Sequence, residues 1–234
     1  MSKNPIIYYF RGEEGFRGRA EVFKLALASQ GTPFEVHAAN YKEMKADRGP
    51  HSKYPFAQCP RFVDDEVDMV QSNAICRHIA RKYSLYGDGS RAQAALVDMW
   101  LDGVEALRGA YSSLIYADSL ESAALAAYRK KHLDPATVGE RNNGAHFAYL
   151  EDLLARNGGA QAFCVGDRLS IADIELWEIC DIHKNIVGDD LKQHYPGLLG
   201  HHARIAELPG IKEYLAGPQR LKQINANGLG QPPE

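Results

Sequence analysis

Residues 6–27 read IIYYFRGEEGFRGRAEVFKLAL. The stretch runs from a short apolar segment, through a loop with Gly12, Gly15 and Gly18, into a segment with Val22, Phe23, Ala26 and Leu27 at helical spacing. Strand, glycine loop and helix in that order also begin many phosphate sites. The spacing speaks against one here. A dinucleotide loop needs G-x-G-x-x-G and a phosphate loop needs G-x-x-x-x-G-K-[ST]. This loop is G-x-x-G-x-x-G, and Glu13 and Glu14 inside it would repel an anion. It therefore reads as a turn between a strand at 5–10 and a helix at 19–30. Because neighbouring strand residues face opposite ways, only one of Tyr8 and Tyr9 can serve whatever the loop borders.

Outward from this stretch, residues 33–39 (PFEVHAA) read as a second strand. Residues 40–55 are polar, with Gly49, Pro50 and Pro55 as breakers, and read as a long loop. Short strands follow at 60–63 and 67–70, turned at Asp64-Asp65-Glu66. A helix at 72–83 carries Ile75, Ile79 and Tyr83 along one face. The order is β-α-β, loop, β-β-α. Past the glycines near 87–90 strand signals vanish, and helical patterns cover 92–116, 120–132, 137–156, 170–187 and 211–215. The expected fold class is α+β with two domains, 1–86 and 87–234. In DRLSIADIELW, Ser170 is placed to cap a helix with Asp173 at its third position, and Leu169 and Ile174 suit a hydrophobic staple.

The apolar share of 45% is that of a globular chain, and a net charge of −3 with scattered Lys and Arg argues against nucleic acid or a membrane surface as partner. No run nears the roughly 20 apolar residues of a bilayer span, and the first residues hold too short an apolar run for a signal peptide. Cys59, Cys76, Cys164 and Cys180 form no C-x-x-C pair. They read as free thiols of a reducing, cytoplasmic setting. His201-His202 reads as a surface pair, and no metal is expected.

Two further stretches carry chemistry. In QCPRF, Pro60 opens a strand, and a cis bond before it would turn the Cys59 backbone toward a peptide-like ligand. A trans turn is the commoner outcome for an X-Pro pair. In VQSNAICRH, Ser72 stands where a strand gives way to a helix, so its hydroxyl and the free N–H groups could hold a carboxylate or Ser72 could simply cap the helix.

RGRAEVFKLAL, QCPRF, VQSNAICRHIARKYSLYG, the run from Ala94 to Arg108, YSSLIY, CVGDRLSIAD and INANG occur together and in order over nearly the whole chain. In this the chain resembles the cytosolic glutathione S-transferases of the tyrosine type, closest to the pi class with mu- and sigma-like features. The resemblance implies a thioredoxin-like N-terminal domain that holds glutathione and an all-helical C-terminal domain that completes the electrophile pocket. It implies that Gln71 and Ser72 bind the γ-glutamyl carboxylate. It also implies that the Cys59 backbone before a cis-Pro60, with Gln58, binds the cysteinyl part, and that Tyr41 and Lys45 hold the glycine end. Arg19 matches the arginine opening the first helix, Tyr116 a tyrosine facing the electrophile, and Phe56 the aromatic that keys into a partner subunit of a homodimer. The pattern's acidic residue, which meets the γ-glutamyl amino group from the neighbouring subunit, falls on Ala106, with Glu105 beside it: either Glu105 substitutes or the contact is lost. The loop after the tyrosines is longer than the pattern and carries the Gly-Glu-Glu-Gly insert.

The implied activity is conjugation of the glutathione thiolate to hydrophobic electrophiles, a detoxifying reaction. A non-catalytic glutathione or ligand carrier and a sigma-like glutathione-dependent isomerase are the alternatives. A free thiol titrates near about 8.5, and a tyrosine hydroxyl that donates a hydrogen bond to the thiolate lowers that value. A drop of about two units corresponds to roughly 2.7 kcal/mol. Tyr9 followed by Phe10 fits the family's Tyr-aromatic pair best, with Phe10 then lining the electrophile pocket; Tyr8 followed by Tyr9 is the alternative.

Overall fold

The computed structural model describes residues 4–11 and 14–231, so the readings that fall on Gly12 and Glu13 lie outside the described residues. The apolar run of the opening stretch becomes β1 (Ile6–Tyr9), the second strand in a sheet ordered β2 (Glu35–Ala38), β1, β3 (Arg61–Val63), β4 (Asp68–Val70). β2 runs parallel to β1; β3 and β4 are antiparallel to their neighbours. A 3₁₀ turn at Gly18–Ala20 leads into α1 (Glu21–Ser29), whose residues from Glu21 to Leu27 are all buried.

Residues 40–55 are not wholly a loop. They contain α2 (Tyr41–Ala46), capped by the Asn40 side chain, which accepts from the N–H groups of Lys42 and Glu43 at 3.1 and 3.2 Å. Met44 is its one buried residue. A short polar helix with a single apolar anchor has no periodicity to read. In α3 (Ser72–Lys82) the cap position belongs to Gln71, at φ +79°, and Ser72 is the first helical residue and caps nothing.

Beyond this the chain is helical: α4 (Arg91–Ser112), a π turn at Ser113–Ala117, α5 (Ser122–His132), α6 (Phe147–Ala155), α7 (Ile171–His194), α8 (Pro196–Ala206) and α9 (Pro209–Ala216). The single helix expected over 137–156 is a 3₁₀ turn at Pro135–Thr137, a run of turns, and then α6, entered through His146, whose ring nitrogen accepts from the Ala148 N–H. Gly139 and Gly144 both take positive φ there, which ends regular helix. α7 outruns the expected 170–187 and bends at Val187, which leaves helical geometry. α8 was not expected from the sequence at all.

α7 is the axis of the molecule, packed against α1, α4 and α8. One apolar cluster runs from Ile7 and Phe23 through Trp100 to Trp177. Each such side chain removed from water contributes about 1.5–3 kcal/mol. Ser170 caps α7 and its N–H donates to the Asp173 carboxylate at 2.8 Å, as the capping reading expected. His201 and His202 are not a surface pair; both are buried. His201 Nε2 lies 2.9 Å from Asp173, and the His202 ring stacks on Trp177 with centroids 4.8 Å apart. Cys164, Asp173 and His201 bring three groups able to ligate a metal within 4.8 Å of one another. Asp173 ties the cluster together, accepting also from the Cys164 N–H at 2.7 Å, while His201 Nδ1 is buried without a partner. All four cysteines are free thiols. Among the described residues no helix is long and apolar enough to cross a membrane.

Candidate active site

A cavity of about 570 Å³ opens between the end of β1 and the inner faces of α4 and α7. Strand alternation decides which tyrosine reaches it. Tyr9 lines the cavity and is 4% exposed. Tyr8 points the other way, edge-on to His37 at 5.4 Å and beneath the Arg61 guanidinium at 4.7 Å. The Tyr9 hydroxyl oxygen accepts from the Arg19 N–H at 3.0 Å, at the start of the first helical turn. Burial pushes its phenol well above the usual range, against the lowering effect of that backbone bond. The hydroxyl therefore keeps its proton, and the backbone donor behind the oxygen makes that proton a better donor. Gly18 makes the approach possible. At φ +41°, a Cβ there would stand 2.2 Å from the Tyr9 hydroxyl. Phe10 and Phe16 stack beside Tyr9, with centroids 5.8 Å apart.

Arg19 is held at the cavity wall by two partners. Its Nε donates to Ser72 Oγ at 3.2 Å, and its Nη2 meets Glu105 Oε2 at 2.8 Å. Glu105 comes from α4, so Arg19 ties the sheet half of the molecule to the helical half. Gln58, Cys59 and Gln71 also line the cavity, and the Cys59–Pro60 bond is cis. Pro60 borders a side cavity of about 30 Å³ with the same residues. The Cys59 thiol is pushed up to about 12, chiefly by burial, which keeps it protonated. Lys45 reaches the cavity and donates to the Ala57 carbonyl at 2.9 Å. Tyr41 lies outside the wall and exposed, with the Lys45 ammonium 5.5 Å from its ring. Phe56 is 61% exposed and away from the cavity. Ala106 is not part of the wall.

At the far end, Tyr116 rises from the π turn that follows α4, the kind of helix irregularity that often marks functional positions. Its hydroxyl oxygen accepts from the Ala226 N–H at 3.2 Å. The segment 223–226 closes this side. Arg17 and Gly18 donate backbone bonds to Gln223 and Ile224 at 2.9 and 3.1 Å, and Asn225 Nδ2 donates to the Tyr111 hydroxyl at 2.7 Å. Sequence reasoning missed the charged wall between these ends. Arg108 on α4 and Glu178 on α7 both line the cavity, and Arg108 also pairs with Glu175 at 2.5 Å. A signal was present: Glu175 and Glu178 sit at helical spacing inside the apolar run IADIELWEIC, where a solvent-facing stripe has no room.

Residues 14–81 match the family model described as glutathione S-transferase, N-terminal domain, and residues 115–218 the one described as glutathione S-transferase, C-terminal domain. Among curated proteins, the chain is 36% identical to glutathione S-transferase P of Bos taurus, over 97% of this chain and 99% of that one. It is 33% identical to a glutathione S-transferase of Dirofilaria immitis, over 91% and 94% of the two chains. Among solved structures, a pi-class glutathione S-transferase of Onchocerca volvulus superposes with a TM-score of 0.78 at 29% identity, covering 97% of this chain and 99% of the other. The expected fold class, a thioredoxin-like domain with a small mixed sheet followed by a helical domain, is the one found. On this similarity the chain belongs to the glutathione S-transferase family, with glutathione S-transferase P and a pi-class structure among its likenesses.

Proposed function

We propose that the protein is a glutathione transferase that joins the glutathione thiol to carbon electrophiles, with Tyr9 as the donor that stabilises the thiolate. One observation carries the reading: the Tyr9 hydroxyl lines the cavity, protonated by burial and backed by the Arg19 N–H. In a partly dry site such a donor acts where charge develops. Gln71, Ser72 and Arg19 receive the γ-glutamyl end, with Glu105 taking the place of the acidic contact absent at Ala106. The backbone of Cys59 beside Pro60, with Gln58, pairs with the cysteinyl part. Lys45 receives the glycine carboxylate, with Tyr41 beside it. Phe10 and Tyr116 border the electrophile, whose orientation against the thiolate supplies much of the rate. The two domains divide at 86/87, the molecule works as a homodimer with Phe56 at the contact, and it acts in the cytoplasm.

The test is conjugation of glutathione to a chloronitroarene. Tyr9→Phe is expected to lower kcat/KM about 10²-fold, the usual loss for one oriented donor, while Tyr8→Phe stays within about threefold of the parent. A parent retained on immobilised glutathione but without turnover would mean a binding protein. A loss confined to Tyr8→Phe would overturn the assignment of Tyr9.

A further inference from the structure

Arg108 stands among three carboxylates: Glu175, Glu178 and, at 3.9 Å from its Nε, Glu105. Both oxygens of Glu175 have partners: one accepts from Arg108 at 2.5 Å and the other from the Cys76 thiol at 3.3 Å. Glu178 adds a second buried carboxylate to the same guanidinium through Oε2. Its Oε1 has no hydrogen-bond partner among the described residues, and it is not among the sealed, unsatisfied atoms. Glu178 itself lines the cavity. Burial and the neighbouring Glu175 both raise its pKa, while Arg108 lowers it, and the net shift is upward. A second carboxylate in this position costs desolvation that the Arg108 contact offsets only in part, since the net shift stays upward. Buried groups held at such a cost beside a cavity are candidates for function.

The geometry assigns Glu178 as a specificity-determining residue: its free oxygen at the cavity meets a hydrogen-bonding group, such as a hydroxyl, carried by the electrophile apart from its reacting carbon. This rests on the transferase reading above. It also departs from a purely hydrophobic electrophile pocket. Arg108, Glu178 and Ser112 give the α4 and α7 side a polar wall, whereas Phe10 and Phe16 give the β1 side an apolar one. An electrophile that fits both has an apolar body and a polar tip. A tip lacking a hydrogen-bonding group would leave the Glu178 oxygen unmatched in a site from which it displaces water, and that mismatch lowers kcat/KM.

The test uses two 2-alkenals of equal chain length, one ending in a hydroxyl and one in a methyl, so that the reacting carbon is alike in both. The ratio of kcat/KM, hydroxyl over methyl, is read for the parent, Glu178→Met and Glu178→Gln. Methionine matches the length without the hydrogen bond, and Arg108 keeps Glu175. Glutamine retains an oxygen for Arg108 and a polar end for the ligand. The expected result is a ratio that falls about tenfold in Glu178→Met, a difference of about 1.4 kcal/mol, and stays within about threefold of the parent in Glu178→Gln. Thermal unfolding midpoints establish that the variants are folded. A ratio unchanged in Glu178→Met, or lost equally in both variants, overturns the assignment. Chloronitroarene turnover by the parent separates the two failures. With that turnover present and the ratio flat, only Glu178 is misassigned; with it absent, the transferase reading and this inference fall together.

Discussion

Asp173 begins α7 with both carboxylate oxygens spoken for. One accepts from the Cys164 N–H and lies beside His201; the other accepts from the N–H and hydroxyl of Ser170 at 2.8 and 2.7 Å. Glu178, a little over one turn later, is equally buried but has a single partner and an open oxygen at the cavity. The same helix thus holds one carboxylate that joins pieces of the fold and another that the fold tolerates. The difference separates stability from specificity along one element, and it can be attacked from both sides.

The largest effect is expected at Asp173. Asp173→Ala strands several buried donors at once and should cost about 3–5 kcal/mol in chemical denaturation. A loss below about 1 kcal/mol would erase the contrast with Glu178. Arg108→Met comes next. It leaves Glu175 and Glu178 buried without their cation, at a cost of about 3 kcal/mol near neutral pH. Because unpaired buried carboxylates have raised pKa values, the unfolded chain is the more ionised form above its carboxylate pKa, and the penalty should shrink as pH falls toward about 4. A pH-independent penalty would mean that packing, not charge, is lost.

His183 supplies the next test on the same helix. It is buried and neutral, with Nδ1 on the Ile179 carbonyl and Nε2 on the Tyr128 hydroxyl, and burial holds its pKa down to about 3. The unfolded chain takes up this proton below about 6.5 and the folded one does not. Stability should therefore fall with falling pH through that window, by up to about 1.4 kcal/mol per unit from this group. His183→Gln should flatten the slope between pH 6.5 and 4; equal slopes would remove His183 as its source. A smaller change in stability than at Asp173 or Arg108, though above about 1 kcal/mol because φ is positive, is expected for Gly18→Ala. Its Cβ would nevertheless press on the Tyr9 hydroxyl, so kcat should fall more than KM rises. A variant with unchanged kcat would show that Tyr9 yields without cost.

The sequence made the sheet half legible because its apolar runs are short, punctuated and alternating, and strand alternation reduced the tyrosines to a choice. It hid α2, because Met44 alone anchors that helix, and α8, because His201 and His202 stand where apolar residues would have marked the buried face. It hid Glu178 for a related reason. Charged residues at helical spacing ordinarily mean a wet face, and only the apolar residues on the other sides of α7 contradict that. The glutathione-side residues were named from ordered motifs; the opposite wall depends on α4 and α7 meeting across a distance in sequence, which no local pattern encodes.

The bonds from Arg17 and Gly18 to Gln223 and Ile224, with Ala226 reaching Tyr116, close the cavity with a segment that follows α9, the last helix among the described residues. During synthesis, β1 and Tyr9 emerge well before this wall. A chain still being translated can assemble its sheet and most of its helices, yet the pocket stays unfinished until residues 223–226 have left the ribosome. The chamber is thus a late checkpoint: chains cut short before it would have Tyr9 but not the enclosure around it.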